Sequence, residues 1–465
     1  MEVISNLIII LISASVLIGV IVGIHELGHF LAARFFGVKV LKFKIGFGKT
    51  LYSRLDSSGT EFSLGLIPMG GYVQMLGEPG YKEEGVSSNS KNNNSFPDAS
   101  AGARAVICAA GPFANLLLAV FLYTIIFMIG TKDLSPIVGG VEPESLAEKI
   151  GLDIGDKIIS VDDKEILNFS DLNLALISRS GESGEIKISY QQRNSDFKET
   201  TYLQINNFLQ KIGEQSPLNF FGISPFIPPI ISSVLPDGPA DLAGLKEGDE
   251  IISINGKSIK TWAQLVKAVD DYQGETVLLD FARGSSNFSS SILLESVLQE
   301  SGDNLGVKIT KGRLGISRIS RIDEFPKYLV ASQKFSFFSS IFQATAKVYS
   351  LSVLIIDSIK KMFSGSVSAE NIGGPIQISL IAGSAAKAGF FAFFNLMAFI
   401  SINLGLINLL PIPILDGGQL LLIGIERIKG SPISEKYLEY GLRFSLVFLV
   451  SLMVFAVFND VMRII

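Results

Sequence analysis

The chain has 465 residues, 48% of them hydrophobic, and its 39 basic and 44 acidic side chains leave a net charge of −5. That balance argues against nucleic-acid binding as a main role, and so apolar a composition marks an integral membrane protein with substantial soluble parts. Cys108 is the only cysteine, so neither an intramolecular disulfide nor a thiolate metal cage can form.

Residues 1–36 read as the first spanning helix. Leu7 to Ile24 are eighteen residues without a charge, enough to cross ~27 Å at ~1.5 Å per residue. A cleaved signal peptide fits poorly, because Met1 to Asn6 carry Glu2 and no basic residue. His25-Glu26-Leu27-Gly28-His29 follows inside the same apolar segment, before Arg34 closes it. Ionisable groups at that depth are expensive and point to function. On a helix, His25 and His29 stack on one face and both rings can reach one ion, while Glu26 can approach a metal-bound water. This is the H-E-x-x-H arrangement of zinc peptidases, two ligands and a general base. The blander alternative, two hydrogen-bonded interior histidines, must explain why both histidines of the chain fall in this motif.

Residues 37–80 alternate and are punctuated by glycine, which predicts several short β-strands associated with the membrane edge beside the motif. Gly48-Lys49-Thr50 looks like the end of a phosphate-binding loop, but Phe43 stands where its first glycine belongs. Residues 81–103 read as a polar, mobile cytoplasmic loop, and 104–131 as the second span, with Gly111-Pro112 and Asn115 near its start. Lys39, Lys42, Lys44, Lys49 and Arg54 place the loop between these spans in the cytoplasm, and both termini on the opposite face.

From Pro136 to about Thr310 the chain becomes soluble and repeats itself. Gly151 to Ile166 align with Gly244 to Ile259, 93 residues later, with nine of sixteen positions identical. The G-L-x-x-G-D-x-I-I-S pattern resembles PDZ domains and predicts two α/β modules, at 132–221 and 222–312, each with a peptide-capturing groove or, alternatively, acting only as a spacer. Residues 313–388 read as linker and interfacial amphipathic helix, since Ser332 to Met362 mix aromatic residues with lysines.

Residues 389–425 form the third span, interrupted by Asn408-Leu-Leu-Pro411-Ile-Pro413-Ile-Leu-Asp416-Gly-Gly. Two prolines and two glycines open the backbone at membrane depth, where it must line a cavity or pack on protein. Asp416 is the only acid between Asn371 and Ile425. It is the candidate third ligand, or else a helix cap. Asn408 can donate to a peptide carbonyl or simply satisfy the broken backbone. Residues 426–465 supply a cytoplasmic loop and a fourth, short span.

H-E-L-G-H-F in the first helix, the G-F-G and M-G-G-Y-V-Q strand region, A-A-G-P-F-A-N in the second helix, the tandem modules and N-L-L-P-I-P-I-L-D-G-G together resemble the site-2 family of intramembrane metalloproteases, along essentially the whole chain. The resemblance implies that His25, His29 and Asp416 bind Zn2+, that Glu26 is the catalytic acid and base, and that Asn408 and Asn403 lie near substrate. It further implies a bacterial inner-membrane enzyme that cuts single-span membrane proteins of the anti-sigma-factor type, with remnant signal peptides as a second substrate class. Gln419 stands where many relatives place a histidine. Unwound substrate would add to an open strand edge between Thr60 and Val73, with Gly70, Gly71 and Tyr72 beside it. The expected fold is thus four transmembrane helices with a membrane-associated β region, plus two periplasmic α/β PDZ modules that filter substrates by size. Two rival readings are a metal-free membrane scaffold and an anchored peptidase acting on soluble peptides.

Overall fold

A computed structural model describes residues 2–77, 94–193, 195–210, 216–300, 308–431 and 433–464. Most of the expected 81–103 loop therefore lies outside the described residues. The chain divides into two units, one formed by Met1–Thr131, Lys334–Phe363 and Ala369–Ile465, the other by Lys132–Gln333 with Ser364–Ser368.

The first unit is built on α1 (Glu2–Phe35), β1 (Val40–Leu55), β2 (Glu61–Met75), α2 (Ala101–Ile129), α3 (Phe337–Phe363), α4 (Pro375–Ala388), α5 (Phe390–Asn408), α6 (Asp416–Lys429) and α7 (Glu435–Ile464). Ser100 starts α2 by accepting from the Ala103 N–H, which satisfies one of the first-turn donors. Side chains facing other helices are buried, among them Leu17, Ile21, Ile107, Ala119, Leu122 and Ile402, whereas Leu11, Phe113, Phe121, Phe444 and Met453 are exposed. Apolar surface turned outward along whole helices is what a lipid-facing protein requires. Among the described residues five helices are long and apolar enough to cross a membrane by length and composition, one more than expected. The addition is α3. Its charges Asp357, Lys360 and Lys361 crowd the last turns, leaving only Lys347 before them, and its buried stripe runs Ser340, Ala344, Val348, Leu351, Ile355.

The expected short fourth span is a 30-residue helix. The expected third span is two helices, because α5 ends at Asn408 and α6 starts afresh at Asp416. A side chain on Gly417 would collide with the Leu409 carbonyl, and one on Gly418 with the Ile412 carbonyl. The bare glycines let the proline-containing loop fold back onto the new helix. α6 is tied to the start of α2 by Arg104 and Glu426 at 2.9 Å.

β1 and β2 form a sheet that doubles back. Gly46, at φ +84°, sits in the left-handed region that favours glycine, and there the chain turns. Residues Lys42 to Ile45 are flanked on one side by Glu61 to Leu64 and on the other by Gly71 to Gln74, while Glu61 to Leu64 also pair with Tyr52 to Leu55. The expected open edge from Thr60 to Val73 is accordingly shorter. Its first part is enclosed, and the outer segment is Gly71 to Met75. Phe30 of α1 stacks edge-on against Phe43 and Phe62, at 5.6 and 5.4 Å, and anchors the sheet to the helix.

The second unit holds the repeat. Each copy has a four-stranded antiparallel sheet of the same order: Lys164–Glu165, Lys157–Val161, Gly184–Gln191, Lys198–Ile205 in the first, and Lys257–Ser258, Glu250–Ile254, Thr276–Arg283, Ser286–Leu293 in the second. Helices Phe169–Ser178 and Trp262–Asp271 begin at matching side-chain caps, Asn168 and Thr261. Each copy buries its own core, one around Ile158, Leu172 and Ile188, the other around Ile251, Leu265 and Leu279. The closing strands correct the expected boundaries. Ile223–Pro225 pairs with Val138–Val141, and Ile316–Arg318 with Ile231–Val234, so each copy ends later than 221 and 312, and residues 316–333 are not bare linker. Three-residue strands carry too little alternation to be seen in sequence.

Candidate metal centre

α1 brings His25 and His29 together as the spacing requires: their Nε2 atoms are 3.2 Å apart and the rings meet at 80°. Asp416 arrives from the first turn of α6, its Oδ2 3.2 Å from His25 Nε2 and its Oδ1 3.4 Å from His29 Nε2. It is not the helix cap. Leu415 holds that position, without a side-chain hydrogen bond. Both imidazoles are buried, at 6% and 8% exposure.

The donor set fits a cation. His29 Nδ1 donates to the Ile107 carbonyl at 2.8 Å, so in the neutral ring its Nε2 carries the lone pair, and that lone pair faces a second ring nitrogen and a carboxylate. Such a convergence is repulsive in apolar surroundings unless a positive charge sits among the three. Zinc bonded at ~2.0–2.1 Å in a tetrahedron needs ligand atoms about 3.3 Å apart, which is the spacing seen. Two imidazoles and one carboxylate also leave the fourth position open, as catalytic sites do.

Glu26 is half-buried on α1 next to His25. β2 runs against it: a side chain on Gly71 would lie 3.2 Å from Glu26 Cγ, 3.1 Å from Val22 and 2.8 Å from the Lys44 carbonyl. Any larger residue would push the sheet off the helix. A side chain on Gly70 would collide with the Phe47 ring. Tyr72 pairs opposite Lys44 and is half-buried. Asn408 lies at the cluster, its Nδ2 3.3 Å from His25 Nε2. Asn403 does not. Its amide donates to the Phe399 carbonyl of its own helix at 2.9 Å. Five residues of helix rotate by ~140°, so the two asparagines cannot face one point. Gln419 donates to the Pro413 carbonyl at 3.3 Å and braces the loop.

Sequence reasoning missed the part played by α2. Ile107 supplies the carbonyl for His29, and a side chain on Gly111 would overlap His29 Nε2. Asn115, fully buried, has its Nδ2 3.3 Å from His25 Nδ1. An asparagine inside a 27-residue uncharged run was the available signal.

A buried pair of helical histidines, a carboxylate from a broken helix and an adjoining glutamate, set in long apolar helices, define a membrane-type metalloendopeptidase. The chain belongs to Peptidase family M50, which it matches over residues 13–452. It is 35% identical over 451 residues to "Regulator of sigma-E protease RseP" of Escherichia coli (strain K12) and 34% identical over 451 residues to "Protease RseP" of Yersinia pestis; both alignments cover 96% of this chain and 97% of the relative. Identity is 33% over 449 residues, with the same coverage, to a Vibrio cholerae protein whose name classes it with zinc metalloproteases.

Proposed function

We propose that this chain hydrolyses a peptide bond within the membrane-spanning segment of single-span proteins of the anti-sigma-factor type, with Zn2+ held by His25, His29 and Asp416. The observation that carries the reading is the 3.2–3.4 Å convergence of those three side chains beside Glu26, inside helices long enough to cross a bilayer. Bound zinc supplies Lewis acidity toward a peptide carbonyl and toward water. Glu26 takes the proton of the attacking water and returns it to the leaving amine. Asn408 donates a hydrogen bond to the carbonyl oxygen as charge develops there. A helical substrate must unwind before its peptide bond is accessible, and Gly71 to Met75 offer an outer strand to which the extended segment adds. Gly70 and Gly71 keep that strand close to Glu26.

The basic cluster from Lys39 to Arg54 supports an orientation with the strand region on the cytoplasmic side of a bacterial inner membrane, and with both termini and the repeated modules in the periplasm. The two modules are PDZ domains, and they exclude substrates with bulky outer domains. α3, with its exposed Phe338, Phe342 and Tyr349 and its terminal lysines, lies at the membrane interface rather than across it.

The test is Glu26→Gln in the full chain reconstituted in vesicles. Zinc stays at one per chain and cleavage of a single-span substrate stops. Cleavage of soluble peptides but not of the single-span substrate by the unaltered chain would favour an anchored peptidase instead. Substrates that differ only in an outer domain test the filter, which fails if both are cut at the same rate.

A further inference from the structure

The outer nitrogens of both candidate ligands are read by one face of α2. Ile107, Gly111 and Asn115 follow one another at single-turn spacing along that helix, against His29 and His25 one turn apart on α1. The first contact fixes the tautomer of a neutral ring: His29 Nδ1–H donates to the Ile107 carbonyl, which puts the lone pair on Nε2. The second contact, at His25 Nδ1, is made by the Asn115 carboxamide, and its direction depends on which His25 nitrogen carries the proton.

On the zinc reading above, His25 Nε2 carries a lone pair, so its proton must sit on Nδ1 and needs an acceptor. The neighbour of Nδ1 is the Asn115 carboxamide, whose nitrogen and oxygen are interchangeable in shape. The opposite end of that group, Oδ1, is buried and has no hydrogen-bond partner among the described residues. Turning the carboxamide over therefore breaks no other bond. The residue is meanwhile fixed from outside, since Ser401 Oγ of α5 donates to the Asn115 backbone carbonyl at 2.8 Å.

We propose that Asn115 is a positioning residue whose side-chain oxygen accepts from His25 Nδ1–H, so that α2 sets the tautomers of both zinc-binding histidines at one-turn register. Asn115 does not touch substrate; it acts through His25. Loss of such an outer-shell partner costs about 10–100-fold in metal affinity.

The experiment measures zinc affinity of the detergent-solubilised full chain by competition with a chelator, beside the thermal midpoint of each chelated protein. Asn115→Asp presents only acceptors and keeps wild-type affinity. Asn115→Leu offers none and loses about 10–100-fold, with the chelated midpoint unchanged. Wild-type affinity in Asn115→Leu overturns the proposal, as does an Asn115→Asp loss equal to that of leucine. Should Asn115→Leu fail to fold, Asn115→Asp decides alone, because a bond donated by the carboxamide is lost in it and an accepted one is kept. An unaltered chain that holds no zinc overturns the zinc reading itself, whereas one that holds zinc equally well in all three forms overturns only the role of Asn115.

Discussion

Asp460 and Asp416 are both aspartates sunk among apolar helices, yet their neighbours differ in kind. Asp460 of α7 is 2% exposed and accepts from the N–H groups of Gly374, Ile376 and Gln377, at 2.7 to 3.1 Å, closing the start of α4. Asn459 beside it donates to the carbonyls of Ala369 and Ile372. Those bonds are complete within the protein and complement the positive end of a helix. Asp416 instead faces two imidazole nitrogens, one of which is bare when its ring is neutral. A carboxylate among donors is structure; a carboxylate among lone pairs waits for a cation. The sequence context alone, one acid in an apolar stretch, does not separate the two.

The sharpest way to break this contrast is Asp416→Asn. It is expected to abolish proteolysis and lower zinc affinity by at least 100-fold, read by chelator competition, while the thermal midpoint of the chelated chain is unmoved. Gly111→Ala comes next, with zinc affinity reduced by about 10–100-fold because the new methyl group displaces His29. Asp460→Ala should do the reverse of Asp416→Asn. Stripping three N–H groups of their acceptor costs roughly 2–3 kcal/mol of stability, seen in thermal denaturation, and leaves zinc affinity as it was.

The smallest effect belongs to Asp249, a fully buried carboxylate of the second module. Burial works against its charge, but bidentate Arg283, at 2.7 and 2.8 Å, and the Lys246 N–H outweigh it and hold the carboxyl below the usual carboxylate range. An unfolded aspartate titrates at about 3.9. The stabilisation is therefore full above about pH 4 and is lost as pH falls through the lower folded value. Trp262, the only tryptophan, starts a helix of this module, so its fluorescence should report acid unfolding. Asp249→Asn should remove that part of the pH dependence.

Much of the centre was legible because its chemistry is local: His25, Glu26 and His29 share one helix, and Asp416 announces itself by isolation. The repeat was legible from identity at a fixed interval. Other features depend on where distant backbone goes. Asn115 gains meaning only once α2 is laid against α1 in register, and Asn403 is seen to stand apart from the histidine cluster only once α5 is in place. The doubled-back sheet hides behind Gly46, where one positive φ changes the pairing of everything after it. The closing strands of the modules are too short to mark themselves.

Most of the polypeptide separates the two imidazoles from Asp416, which comes from the start of a helix laid down late in synthesis. A ribosome-bound chain halted before that helix carries His25, Glu26 and His29 but lacks the third candidate ligand. On the zinc reading proposed above, the three ligands therefore come together only after α6 has been made, so the order of synthesis itself sets when the centre can form.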